Sequence, residues 1–245
     1  MQCPGQDSRF WGSDAIFDVK CPQCGKDLEF FKDEPTRTCK ECGHKIVNPK
    51  MDFGCASYCQ FAEQCVGDLP PEVLLQRKDL FKDRVAVEMK RYFQYDFKRI
   101  GHATKVARYA ERIVKREGGD PAVVLSAAYL HDIGIVEAER THGSVAMHAH
   151  HEEKGPPIAR KILGRLKAPE ELIDEVCAII GHHHHPRQQE TVNFKMVYDA
   201  DLIVNLEEQQ KEAPVERGDV VSCIDRDFLT EGGRELARNV LLKEH

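Results

Sequence analysis

Tyr129-Leu130-His131-Asp132-Ile133-Gly134 decides how this chain is read. It closes a segment, Ala122 to Ile135, that is apolar nearly all round, so a helix there belongs in a core. A histidine and an aspartate side by side in such a place need a reason. A carboxylate buried without a partner is costly, so Asp132 is expected to be paired or to bind a metal. Residues of matching chemistry flank it at a distance. His102 stands in the first turn of the preceding helical pattern, and Tyr198-Asp199-Ala200-Asp201-Leu202 opens a later, mostly apolar one. His102, His131, Asp132 and Asp201 make an N2O2 ligand set on separate helices that could converge in a bundle core.

Helical periodicity dominates on both sides of this segment. Leu80, Phe81, Val85, Met89, Tyr92 and Phe93 recur at three-to-four spacing. From Gly101 to Glu117, Ala103, Val106, Ala107, Ala110, Ile113 and Val114 form one apolar stripe, which Gly118-Gly119 stops. Asp120-Pro121 is an N-cap followed by proline at the first helical position. Further helices are expected from Pro156-Pro157 through Leu166, from Pro169-Glu170 through Ile180, over Met196 to Leu206, and near Glu235 to Leu242. Strand patterns are scarce. The expected fold is mainly α, a helical bundle with a small N-terminal appendage held by metal.

Cysteine placement defines that appendage. Eight of the ten cysteines lie in the first 65 residues. They come in close pairs, and no positively charged segment followed by an apolar core opens the chain. This favours metal binding in a reducing cytoplasm over a disulfide framework. Cys21-Pro22-Gln23-Cys24-Gly25 and Cys39-Lys40-Glu41-Cys42-Gly43 are two C-x2-C turns whose four thiolates suit tetrahedral Zn2+. The stretch resembles a zinc ribbon. The glycine after each pair allows the backbone a positive φ, and Leu28-Glu29-Phe30-Phe31 reads as a short strand. Cys55, Cys59 and Cys65 form a second group, which could hold an iron–sulfur cluster or a second zinc, with Cys3 or another group as fourth ligand, or could be plain structural cysteines. Gly67-Asp68-Leu69-Pro70-Pro71 reads as a linker, so residues 1–66 are expected to be the cysteine-rich module and 67–245 the helical domain.

Charge and composition narrow the partners. The net charge is −6, and residues 1–70 carry eight Lys and Arg against eleven Asp and Glu. A phosphate-backbone surface needs the opposite sign, so no nucleic-acid contact is expected, and a protein-docking or purely structural role suits the ribbon better. No run of about 18 apolar residues is present, so no membrane span is expected.

The pattern H…HD…D, with Gly101-His102-Ala103 upstream, His131-Asp132-Ile133-Gly134 at the centre and Asp201 in an Ala-Asp-Leu setting, resembles the HD-domain superfamily of metal-dependent phosphohydrolases. The resemblance covers about residues 80–245. It implies an HD-type helical bundle, with His131 and Asp132 as the catalytic pair. It also implies a second metal held by extra histidines. His151-Glu152-Glu153-Lys154-Gly155 resembles the family's H-x3-G element, and Ile179-Ile180-Gly181-His182-His183 its helix-end histidine pair. The implied ligands are therefore His102, His131, Asp132, His151, His182, His183 and Asp201, with Asp132 bridging two ions. His184 and His185 are expected to face solvent or substrate. His142, His148 and His150 compete with His151, and Asp199 with Asp201.

Such a set could hold one or two divalent ions, with Mn, Fe, Zn, Ni and Mg all open. The implied reaction is hydrolysis of a small phosphate ester, nucleotide-like in character, by a metal-activated water. Lys105, Lys154 and Arg160 are candidate phosphate-binding cations, each with a solvated charge as its plain alternative. Two rivals stand beside this: an HD-fold di-iron oxygenase, compatible with the same ligands, and a non-catalytic nucleotide-sensing adaptor. The Gly-Tyr-Pro motif of the branch that cleaves cyclic dinucleotides is replaced by Pro186-Arg187-Gln188-Gln189.

Overall fold

The computed structural model describes residues 15–31, 34, 36–50, 78–143, 147–213 and 215–242. The chain divides into two compact units, with the boundary between Arg84 and Val85. The expected linker, Gly67 to Pro71, lies outside the described residues, as do Cys3, Cys55, Cys59 and Cys65.

In the first unit, β1 (Ile16–Lys20) pairs antiparallel with β2 (Asp27–Phe31), and β3 (Thr36–Thr38) with β4 (Lys45–Val47). Each C-x2-C pair turns the chain in the same way. Gly25 N–H donates to Cys21 O and Gly43 N–H to Cys39 O, at 2.8 and 2.9 Å. Both glycines take the left-handed conformation, φ 74° and 73°, as the sequence predicts. A small core of Cys21, Leu28, Phe30, Cys39 and Ile46 lies beneath, with Phe17 and Val19 against it.

The second unit is helical. Its elements are α1 (Lys78–Phe93, which crosses the boundary), α2 (Phe97–Glu117), α3 (Pro121–Leu130), α4 (Ile135–His142), α5 (Met147–Arg165), α6 (Glu170–Ile180), α7 (Val192–Glu212), α8 (Arg217–Asp227) and α9 (Glu231–Leu241). Asp120 caps α3 by accepting from Ala122 N–H, with Pro121 behind it. Every residue of α3 from Ala122 to Leu130 is buried, because α2, α6 and α7 all pack against it. The stretch Pro121–Thr141 has the length and hydropathy of a membrane span, but 78% of its apolar window is buried inside the helical unit.

Three departures from the periodicity reading matter for the site. First, the apolar run to Ile135 is not one helix. It breaks after Leu130 into a tight turn, with Ile133 N–H on Leu130 O and Ile135 N–H on Asp132 O, both 3.0 Å. His131 and Asp132 therefore project from a helix end. Second, Pro156 and Pro157 do not start a helix but lie inside α5. Gly155 has no Cβ for the following proline ring to strike, so the clash that usually ends a helix before proline is relieved. Third, α8 was not foreseen: of its eleven residues only Val220 and Ile224 are buried, too short a stripe for periodicity to show.

Gly134 holds the first two of these features together. A Cβ there would collide with His151 O and stand 2.5 Å from Gly155 N, both α5 backbone atoms. The glycine of the His-Asp-Ile-Gly stretch is therefore required by close approach, since its φ of −77° suits any residue. Gly134→Ala is expected to push α5 away from the turn and to cost about 1–3 kcal/mol, read as a lower melting temperature.

Candidate metal centre

Four helix ends and one helix interior bring the ligands together. His102 comes from the second turn of α2, His131 and Asp132 from the turn after α3, His151 from early α5, His183 and His184 from the turn after α6, and Asp201 from the middle of α7. Their ligating atoms form overlapping groups, each within 4.8 Å: His102, His131 and Asp132; His131, His183 and Asp201; and Asp132, His151, His183 and His184.

Asp132 sits between two sets. Its Oδ2 faces His131 Nε2 at 3.3 Å and His102 Nε2 at 3.9 Å, while its Oδ1 faces His151 Nε2 at 3.4 Å and His183 Nε2 at 3.7 Å. Asp201 closes the first set, with Oδ1 at 3.1 Å from His102 Nε2 and 3.5 Å from His131 Nε2. Asn205 Nδ2 donates to the other Asp201 oxygen at 2.9 Å. Glu208 Oε1 lies 3.3 Å from His102 Nδ1 and orients that ring.

Helix ends set the tautomers. The last carbonyls of a helix have no partner within it. His131 Nδ1 donates to Ala128 O at 2.8 Å, and His183 Nδ1 to Ile180 O at 2.9 Å. In its neutral form each ring presents a bare Nε2 to the cluster. His131 Nε2 is fully buried and, among the described residues, has no hydrogen-bond partner despite its carboxylate neighbours. A cation among these atoms answers that deficit, so the residues present fit a divalent metal.

The charges are tightly linked. Burial by itself lowers the His131 pKa, but the Asp132 and Asp201 carboxylates outweigh it and bring it to about 9. Burial likewise lowers His102, but the Asp201 hydrogen bond together with the Asp201 and Asp132 charges leaves it raised. Burial raises both carboxyls, yet the His131 charge holds Asp132 well below the usual range, and the His102 hydrogen bond lowers Asp201. His184 falls to about 4 through burial and the neighbouring His183.

The sequence-predicted ligands are not all here. His182 turns away: its Nδ1 bonds to Ala178 O at 2.6 Å, its Nε2 to Glu190 Oε1 at 3.0 Å, and its ring stacks on Phe194 at 4.6 Å. His184 takes the place expected for it. A helix would point adjacent histidines about 100° apart, but His185 N–H bonds to His182 O at 2.8 Å, making a turn with His183 and His184 at its corner. Their ring centroids lie 4.1 Å apart. His150 is half-exposed, with Nδ1 3.8 Å from Glu153; the side chains of His142 and His148 lie outside the described residues.

Asp199 and Asp201 face opposite ways, as residues two apart on a helix must. Asp199 accepts from Leu229 N–H, Thr230 N–H and the Thr230 hydroxyl at 2.8, 2.8 and 2.6 Å. Asp199→Ala strands these buried donors and is expected to cost about 3 kcal/mol in stability with metal content unchanged. Asp201→Ala should lose metal instead. Metal analysis and thermal melting of the two variants side by side make the check.

A cleft of about 350 Å3 opens onto the cluster, lined by Lys98, Arg99, His102, Asp132, Ile135, His184, Asp201, Asn205 and Glu208. Arg99 is paired with Asp96 and Glu139 at 2.8 and 3.0 Å. Lys105, Lys154 and Arg160, the candidate cations with a solvated charge as their plain alternative, do not line it. Lys105 bonds to Glu207 at 2.7 Å, Lys154 to Glu153 at 3.1 Å, and Arg160 to Glu170 and Asp174.

In the first unit the four cysteine Sγ atoms also lie within 4.8 Å of one another, with Cys21–Cys42 and Cys24–Cys39 at 3.6 Å.

A family model described as "HD domain" matches residues 99–225. Over 102 residues the chain is 33% identical to Ribonuclease Y of Thermus thermophilus, an overlap of 42% of this chain and 15% of that protein, so the chain spans well under two thirds of that relative. A crystal structure described as a "predicted HD superfamily hydrolase" from an uncultured Thermotogales bacterium is similar at 22% identity and a TM-score of 0.47, covering 71% of this chain and 92% of that one.

Proposed function

Because the chain belongs to the HD-domain family, we propose that it is a metal-dependent phosphohydrolase acting on a small phosphate ester. The observation that carries this is the posture of Asp132, which offers one carboxylate oxygen to each ligand set and stands in the wall of an open cleft. His102, His131, Asp132 and Asp201 would hold one divalent ion; His151, His183 and His184 would share Asp132 to hold another. When bound, the pair supplies an activated water and neutralises charge on the phosphoryl oxygens.

The chain's own residues supply the rest. Glu208 keeps the His102 ring in place from the cleft side, and Asn205 holds Asp201. Lys98 at the rim adds positive charge where an anionic ester must enter. Ile135 offers an apolar patch to the ester's organic part. The size of the cleft suits a small molecule, at the low end of ordinary ligand sites.

The test is phosphate release from simple mono- and diesters, p-nitrophenyl phosphate and bis-p-nitrophenyl phosphate. Chelator-stripped protein is reloaded with Mn2+, Fe2+, Ni2+, Zn2+ or Mg2+, with Asp132→Ala alongside. Metal-dependent release by wild type alone is expected. Equal rates in both proteins with every metal would sink the reading. Oxygen consumption by the iron form, without phosphate release, would favour the oxygenase instead.

A further inference from the structure

The four-histidine run is gripped at both ends. Glu152 lies on α5 next to His151, with its side chain only 15% exposed. Its Oε1 accepts from the His184 backbone N–H at 2.8 Å, and its Oε2 meets His185 Nδ1 at 2.9 Å. At the other end, Glu190 Oε1 takes His182 Nε2 at 3.0 Å and Arg187 N–H at 2.7 Å, while Phe194 of α7 backs the His182 ring. Between the grips stands the corner of the turn, His183 and His184, whose rings face Asp132, His151 and Asp201.

We propose that Glu152 and Glu190 are positioning residues: they clamp the ends of the His182–His185 turn so that its corner presents His183 and His184 as ligands. The bond that matters most is Glu152 to His184 N–H. It ties the turn to the same helix turn that carries His151, so three ligands of the second set are held in one frame. A turn following a helix has few backbone bonds of its own, and without such ties its side chains sample many rotamers. Ordering them on metal binding then costs entropy that a clamped turn has already lost. The His185 contact is secondary, because that ring is 79% exposed and surface ion pairs contribute little. Glu152 touches no candidate metal position itself, and acts through the residues it holds. The inference rests on the two-ion reading above.

The experiment is calorimetric titration of chelator-stripped protein with Mn2+, comparing wild type, Glu152→Ala, Glu152→Gln, His185→Ala and His182→Ala. Wild type should take up two ions in this centre. Glu152→Ala should keep the first and bind the second about 10- to 100-fold more weakly, the usual cost of losing a residue that orients a ligand. Glu152→Gln should recover most of this. Its amide oxygen can still accept from His184 N–H, and its NH2 can donate to His185 Nδ1 in the other tautomer. His185→Ala should stay near wild type. His182→Ala releases the opposite end and should also weaken the second ion alone, which keeps the test alive should Glu152→Ala fail to fold. An unchanged second affinity in Glu152→Ala, with wild type binding two ions, overturns the clamp and leaves the hydrolase standing. So does Glu152→Gln as weak as alanine. Uptake of a single ion by wild type overturns the two-ion reading and the clamp together.

Discussion

Asp132→Ala is expected to empty the candidate centre of metal and to lower phosphate release by about 10^3-fold or more. The size follows from position. One carboxylate serves both ligand sets, its two oxygens 3.3 Å from His131 and 3.4 Å from His151. Removing it would take a shared carboxylate from both ligand sets and leave two histidine groups facing each other. A metal acting as a Lewis acid on a phosphoryl group contributes several kcal/mol, and about 4 kcal/mol corresponds to a factor of ~10^3. Elemental analysis would show the metal lost, and the ester assay would show the rate. Loading in wild type should also weaken as pH falls. His131 retains a proton on Nε2 up to about pH 9 through its carboxylate neighbours, and an incoming cation must displace that proton. Lower pH means more of this proton to displace, so apparent affinity should rise with pH, not fall. A metal content in Asp132→Ala equal to wild type would remove this cluster as the metal centre.

Cys39→Ser is expected to abolish zinc binding in the first unit and to unfold residues 15–50. Among its described residues that unit has two separate two-stranded sheets and a handful of core side chains: Leu28, Phe30 and Ile46 beside the buried sulfurs of Cys21 and Cys39. Two-stranded sheets of this size are marginal alone. Four thiolates within 4.8 Å also oppose one another without a cation. Hydrogen bonds from the Cys42 backbone lower Cys39 to about 7. At Cys24 the Lys26 backbone lowers the thiol too, but burial and the other three sulfurs reverse that and push it to about 12. A bound zinc would replace the protons with a shared positive charge, and structural zinc in four-thiolate sites supplies about 10–16 kcal/mol of apparent binding energy. Zinc content by elemental analysis, and protease cleavage within residues 15–50 after chelation, make the measurement. A variant that keeps both its protease resistance and its fold without zinc would show the small core to be sufficient.

Much of this protein was legible in its residues. Ala122 to Leu130 has no polar face, so its burial followed directly. Gly25 and Gly43 stand where a C-x2-C turn needs a positive φ, and they adopt it. His102, His131, Asp132 and Asp201 are chemically conspicuous in apolar surroundings, and packing brings all four together. Residue type and period carry such facts because each depends on neighbours within one turn of helix or one tight turn.

Other facts depended on elements far apart in the chain. Which of His182 to His185 face the cluster was decided by two carboxylates, Glu152 from α5 and Glu190 from the loop before α7, and by the turn they hold. The resemblance to a helix-end histidine pair singles out His182 with His183. Pro156 and Pro157 looked like a helix start because the close approach of Gly134 to α5 cannot be seen along the chain. The candidate cations Lys105, Lys154 and Arg160 take acidic partners, in line with their plain alternative of a solvated charge, and Lys98 lines the cleft. The sequence determined the kinds of ligand and placed His102, His131, Asp132 and Asp201 among them. Carbonyls three residues back aim the His131 and His183 rings, but tertiary structure decided where those helix ends meet and, through Glu208 on α7, how the His102 ring is turned.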